Sequence, residues 1–121
     1  MKICITAQDK NIESEVDPRF GRCQYFIIAD MDTGQTDVIQ NGMKDGMGGV
    51  GIQSGQLMAE RGIKAVLTGN VGPNAFKTLQ ASGIEVITGV SGPVKEVIEN
   101  FKKGTYKSSN GPSVDSHFGT N

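Results

Sequence analysis

Three features of this sequence predict an α/β domain: a five-stranded mixed sheet with helices on its faces. Short apolar runs of strand length alternate with stretches of helical period. Two of the early runs are separated by a tight turn, which makes them an antiparallel hairpin. Later, Gly62-Ile63-Lys64-Ala65-Val66-Leu67-Thr68-Gly69-Asn70-Val71-Gly72-Pro73 is echoed by Gly83-Ile84-Glu85-Val86-Ile87-Thr88-Gly89-Val90-Ser91-Gly92-Pro93. Each copy is a glycine, a buried strand, Thr-Gly, a short loop and a Gly-Pro that opens a helix. The echo is too short for a solenoid. It marks successive strand–helix units, hence neighbouring parallel strands joined by right-handed crossovers.

The elements follow in order. Residues 2–7 read as a buried strand, and residues 8–23 as a polar loop punctuated by Asp17-Pro18 and Gly21. Residues 24–30 and 35–40 form the hairpin around the turn signal Asp32-Thr33-Gly34. A glycine-rich loop, 41–51, leads into a helix with Val50, Leu57 and Met58 on one face and Gly62 as its stop. Residues 64–68 are a strand. Residues 73–82 are a helix opened by Pro73 and stopped by Gly83. Residues 84–88 are the last strand. The helix at 93–103 has the clearest pattern, with Val94, Val97, Ile98 and Phe101 on one stripe and Lys102 and Lys103 suiting its C-terminal dipole. Residues 105–121 are polar, Gly/Ser-rich and aperiodic, and read as a flexible tail beyond one domain, 1–104.

The economical sheet order for these elements is 3-2-1-4-5, with strand 2 reversed, which is the ribonuclease-H-like arrangement. One domain is also what 121 residues allow, and folding would hide roughly two-thirds of the surface the unfolded chain exposes. With no Trp, the core must rest on aliphatic residues and a few Phe.

Composition excludes several classes. A net charge of −1 without a basic run argues against nucleic-acid binding. Two cysteines are too few for a secreted disulfide framework, and no apolar run has the length of a signal peptide or a membrane span. A cytoplasmic location is the expectation.

The topology places the ends of strands 1, 3, 4 and 5 and the start of strand 2 at one rim. Five segments should meet there: the 8–22 loop, Cys23, residues 46–51, 69–72 and 89–92. Three of them open helices, whose free N–H groups and partial positive charge favour anions. Open α/β sheets bind ligands at this kind of crevice. The candidates for holding an anion are Arg19, Arg22, Gly48, Gly49, Gly69, Asn70 and Asn74. Cys23 sits beside Arg19 and Arg22, whose guanidinium groups would favour a thiolate and so a metal ligand. Cys4, inside the first strand, reads as a small core residue. His117 lies in the tail and would serve as a ligand if the tail folds back. Met43 and Met47 read as packing or lid residues.

Gly46-Met47-Gly48-Gly49-Val50-Gly51 fits G-x-G-x-x-G. A dinucleotide site also needs an acid about 20 residues on. Asn70 and Val71 stand there instead. No Gly-Lys-Ser/Thr phosphate loop exists. The paired carboxylates of a two-metal nuclease are missing from the strands, and no Ser/His/Asp or Cys/His arrangement is evident. A non-enzymatic binding protein for an anionic ligand, such as a phosphate-bearing small molecule, is the expectation that remains.

Val16-Asp17-Pro18-Arg19-Phe20-Gly21-Arg22-Cys23, the glycine-rich loop before the first helix, and Thr68-Gly69-Asn70-Val71-Gly72-Pro73-Asn74-Ala75-Phe76 occur in that order. In these motifs the chain resembles the dinitrogenase iron–molybdenum cofactor biosynthesis family, of the NifX type and the C-terminal part of NifB, over about residues 1–104. The resemblance implies a ribonuclease-H-like carrier that transiently binds an iron–sulfur or molybdenum–iron–sulfur cluster or its precursor. It further implies donor and acceptor proteins as partners, and Cys23 as the matching ligand. A cluster built wholly on protein wants about four cysteines. This chain suits a preassembled cluster held by few ligands and many N–H groups. A monomer or weak homodimer is expected.

Overall fold

The computed structural model describes residues 1–42, 49–109 and 111–113. Eight elements follow one another: β1 (Lys2–Ala7), β2 (Tyr25–Asp30), β3 (Thr36–Gln40), α1 (Val50–Glu60), β4 (Ile63–Leu67), α2 (Pro73–Ala81), β5 (Glu85–Ile87) and α3 (Val94–Lys102). They match the expected elements, with boundaries displaced by one or two residues as helix and strand ends fray.

The sheet has the expected order, β3-β2-β1-β4-β5. β2 runs antiparallel to both β1 and β3, with Ile5 opposite Ile27 and Ile27 opposite Val38. β1, β4 and β5 are parallel, with Cys4 beside Val66 and Val66 beside Val86. The ends of β1, β3, β4 and β5 therefore share an edge with the start of β2.

Strand alternation divides the core into two layers. Cys4, Phe26, Ile28, Val66 and Val86 face α1 and α2, where Met58, Ala75, Phe76 and Leu79 meet them. Ile3, Ile5, Ile27, Ala29, Ala65 and Leu67 face α3 through Val94 and Val97. Both faces of β1 are covered, so all of Ile3, Cys4, Ile5, Thr6 and Ala7 are buried. This explains a near-continuous apolar run rather than an alternating one.

α1 and α2 pack closely because small residues line their seam. A Cβ placed on Gly51 would lie 3.0 Å from Ala75 Cβ, and one on Gly55 would lie 2.7 Å from Thr78 Cγ2. This draws the starts of the two helices together.

The stretch expected as a flexible tail is tied to the body as far as Ser113. Ser109 N–H donates to Val86 C=O at 2.7 Å, and Ser113 N–H donates to Val71 C=O at 2.9 Å. Backbone groups make these bonds, and composition does not report them. His117 lies outside the described residues, as do Gly48, Met43 and Met47.

Substitution of Gly55 by Ala is expected to destabilise the domain. Alanine gains up to about 1 kcal/mol in helix propensity, but overpacking costs roughly 1–3 kcal/mol. A net loss of about 1 kcal/mol follows, read as a lower urea midpoint. A higher midpoint would show that the helix seam yields freely.

Candidate functional site at the sheet rim

The rim is organised by Asp17, which is 4% exposed. Its carboxylate accepts the N–H of Arg19 at 3.1 Å through one oxygen and that of Gln24 at 3.2 Å through the other. Its carbonyl accepts the Thr6 hydroxyl at 2.7 Å, and Thr6 Oγ1 lies 2.8 Å from Thr68 Oγ1. The ends of β1 and β4 thus hold the loop that leads into β2.

That loop lies across the other rim segments. Arg19 pairs with Asn70 in a parallel bridge, Phe20 N–H donates to Asn70 C=O at 3.1 Å, and Asn70 Nδ2 donates to Pro18 C=O at 3.2 Å. Gly69 is required by this approach: a Cβ there would stand 2.7 Å from Pro18 Cα. Gly21, at φ 96°, comes within 3.5 Å of Gly51 Cα, measured from the position of an added Cβ. Phe20 is fully buried and its ring centroid lies 5.9 Å from that of Phe26, which anchors the loop to the sheet.

The structure therefore brings Arg19, Gly69 and Asn70 together directly. It sets Arg22, next to Gly21, near the start of α1, which Gly49 precedes and Asn74 neighbours across the Gly51–Ala75 contact. Arg19 and Arg22 are half-buried, and Gly49 and Asn74 are exposed. The Arg19 guanidinium stays 3.9 Å from Asp17 and reaches Arg22 C=O at 3.5 Å.

Three helix starts were expected to be open to an anion; the structure closes one of them. The α3 start is closed by the chain itself, since Val94 N–H donates to Ser14 C=O at 2.9 Å and Lys95 N–H to Ile12 C=O at 2.7 Å. The N–H groups of Val50, Gly51 and Ile52 in α1, and of Asn74 and Ala75 in α2, have no protein acceptor among the described residues. Neither helix has a side-chain cap or an acidic residue in its first turn. Among the described residues no acidic group caps either start, and the positive ends of the two dipoles lie side by side.

The expectation of a Cys23 thiolate is overturned. Cys23 is fully buried among Phe20, Phe26, Val71 and Ala75. Burial pushes its thiol well above the ordinary 9.0, and the Asp17 carboxylate pushes it further. A hydrogen bond from Asn41 opposes this only in part. Cys4, as expected, is a core residue; burial and then Cys23 raise its thiol. A metal ion would find no partly exposed thiolate in this conformation.

Sequence reasoning missed Asp17 and Asn41. Asn41, 1% exposed, donates Nδ2 to Gly21 C=O at 2.8 Å and to Cys23 C=O at 3.0 Å. The Asp-x-Arg spacing, which suits a turn closed by the side chain on the N–H two residues on, was the available signal for Asp17. None existed for Asn41, whose partners lie 18 and 20 residues away.

A cleft of about 590 Å³ beside α3 is less suited to an anion, since Glu13, Glu96 and Glu99 line it against Lys95 and Lys103.

The family model described as dinitrogenase iron–molybdenum cofactor matches residues 1–104. The chain belongs to that family. It is similar to the apo form of the orange protein from Desulfovibrio gigas, with 36% identity, 93% of this chain and 96% of that one covered, and a TM-score of 0.90. A Thermotoga protein described as a NifB candidate is 34% identical over 88% of this chain and 91% of its own, at a TM-score of 0.78. An uncharacterized protein of Methanocaldococcus jannaschii is 32% identical over 86% of this chain and 87% of its own length.

Both thiols are held protonated in the fold, whereas the unfolded chain releases its thiol protons near the ordinary value of 9.0. Stability is then fully present below about pH 9 and falls as pH rises above it, because the unfolded state alone loses protons. Urea midpoints measured from pH 7 to 10 are expected to drop toward the alkaline end, with no alkylation of either thiol in the native protein at pH 7.5. Rapid native labelling of Cys23 would contradict its enclosure.

Proposed function

We propose that this protein is a non-enzymatic carrier that holds an anionic metal–sulfur cluster, or its molybdenum- or iron-containing precursor, by docking rather than by coordination. The observation that carries this reading is the pair of uncapped helix starts at the Gly51–Ala75 contact, flanked by the half-buried Arg19 and Arg22. The ligand would sit against the N–H groups of Gly51, Ile52 and Asn74. Gly49, Gly69 and Asn70 shape the approach, and the two guanidinium groups supply charge.

The chemistry suits transfer. Each exposed helix start contributes only ~0.3–1 kcal/mol to a bound charge, and charge-assisted hydrogen bonds from arginine add about 1.5–3 kcal/mol each. Several such contacts retain a multiply charged cluster without metal–protein bonds that must break on release. Enclosure of Cys23 favours this over ligation. Family membership favours a cluster over a phosphate ester, and a relative named for its colour and known in an apo form fits a coloured group that departs. Donor and acceptor proteins would load and unload the rim. No helix among the described residues is long and apolar enough to cross a membrane, consistent with an assembly factor that works in the cytoplasm.

Anaerobic gel filtration with tetrathiomolybdate, a molybdenum–sulfide dianion, tests the proposal. Colour is expected to co-elute with the protein and to be lost with rising salt, as screening weakens the contacts. The double variant Arg19→Gln/Arg22→Gln is expected to bind at least a hundredfold more weakly, about 3 kcal/mol for the two contacts. Cys23→Ala is expected to retain the colour. Loss of colour with Cys23→Ala while Arg19→Gln/Arg22→Gln binds normally would establish thiol ligation instead. Equal competition by inorganic phosphate would favour the phosphate-ligand reading.

A further inference from the structure

The chain treats the two edges of its sheet differently. β5 is short, and residues after α3 cover it: Ser109 N–H donates to Val86 C=O at 2.7 Å, and Ser108 hydrogen-bonds Glu85. β3, at the other edge, is longer and bare. Among the described residues no backbone bond reaches its outer side.

The ladder tells which groups face outward there. Asp30 N–H donates to Gln35 C=O at 2.8 Å, and Asn41 N–H to Gln24 C=O at 3.1 Å. Bonding alternates along an antiparallel strand, so Asp37 and Ile39, like Gln35 and Asn41, turn their backbone groups toward β2. The N–H and C=O groups of Thr36, Val38 and Gln40 therefore point away from the sheet. Such an edge is a template for another strand, and proteins blunt it with proline, lysine or a bulge. β3 has none of these.

The strand is also complementary to itself. Set two copies antiparallel with Val38 opposite Val38. Thr36 then meets Gln40, every outward N–H finds an outward C=O, and Asp37 lies opposite Ile39. A slip of one residue sets outward groups against inward ones. A slip of two residues one way puts Asp37 against Asp37, a like-charge pair that opposes pairing. The same slip the other way carries Thr36 past Gln40, where the partner strand ends. Val38 is 42% exposed, and the central pair would cover that apolar surface.

We propose that β3 pairs with β3 of a second copy of this chain across a two-fold axis at Val38, joining the two sheets into one. The interface is isologous, so one patch serves both copies. The rims, at the Gln40 ends of the strands, then lie at opposite ends of the joint. A single strand pair is a small interface, so the dimer is weak and forms as concentration rises. This surface is independent of the carrier reading.

Sedimentation equilibrium of the full chain from about 10 μM to about 1 mM tests this, with backbone amide shifts followed on dilution. Wild type is expected to pass from monomer to dimer, with the largest shifts at Thr36, Val38 and Gln40. Val38→Pro removes an outward N–H and no bond to β2. It is expected to weaken the dimer about thirtyfold, for the two hydrogen bonds of the central pair. Thr36→Lys/Gln40→Glu sets opposite charges across the joint and is expected to tighten the dimer. Thr36→Lys/Gln40→Lys sets like charges there and is expected to weaken it. Thr36 and Gln40 are exposed, so these two variants decide the matter even if Val38→Pro fails to fold. A monomer at every concentration overturns the proposal, and so does capture of another protein's strand at β3 by a wild type that never self-associates. A dimer that ignores the variants, responds alike to both charged ones, or shifts amides elsewhere overturns it as well.

Discussion

The rim of this protein depends on one buried group, the Asp17 carboxylate, and on the hydroxyl pair beneath its carbonyl. A buried carboxyl group is costly unless its oxygens are satisfied. Here each oxygen takes a backbone N–H, from Arg19 and Gln24, while Thr6 holds the carbonyl. Those bonds fix the path of residues 17–24 over the ends of β1 and β4. Everything else at the site follows from that path: Pro18 against Gly69, Arg19 beside Asn70, Gly21 against Gly51, and Cys23 beneath them.

The fold was legible because its signals are local and agree with one another. The short apolar runs of the strands, the stripe of Val94, Val97, Ile98 and Phe101, and the Gly-Pro helix openings each act within a few positions. The strand order needed only the hairpin and the two echoing strand–helix units. The rim was legible as a place, since topology alone brings those strand ends together. Its chemistry was less so. Cys23 reads as a reactive junction residue beside two arginines, but the residues that enclose it, Asn41, Val71 and Ala75, come from distant parts of the chain. The α3 start reads as open, yet Ile12 and Ser14, some 80 residues earlier, supply its acceptors. Side-chain patterns do not encode such backbone pairings, and the same is true of the bond from Ser109 N–H to Val86 C=O on β5.

The resulting picture is a site of modest individual interactions. On the carrier reading proposed above, two helix starts and two arginines would hold a compact anion with several negative charges better than a singly charged one, because each contact adds. The absence of a rim thiolate among the described residues is then consistent with carriage. A ligand that arrives assembled and leaves intact is better served by hydrogen bonds than by metal–sulfur bonds.

Backbone amide shifts on titration with tetrathiomolybdate probe the docking geometry most directly. The account predicts that the largest changes fall on Gly51, Ile52 and Asn74, with Val94 and Lys95 unmoved because Ser14 and Ile12 already hold their N–H groups. Changes centred on α3, or on the cleft lined by Glu96 and Glu99, would contradict it.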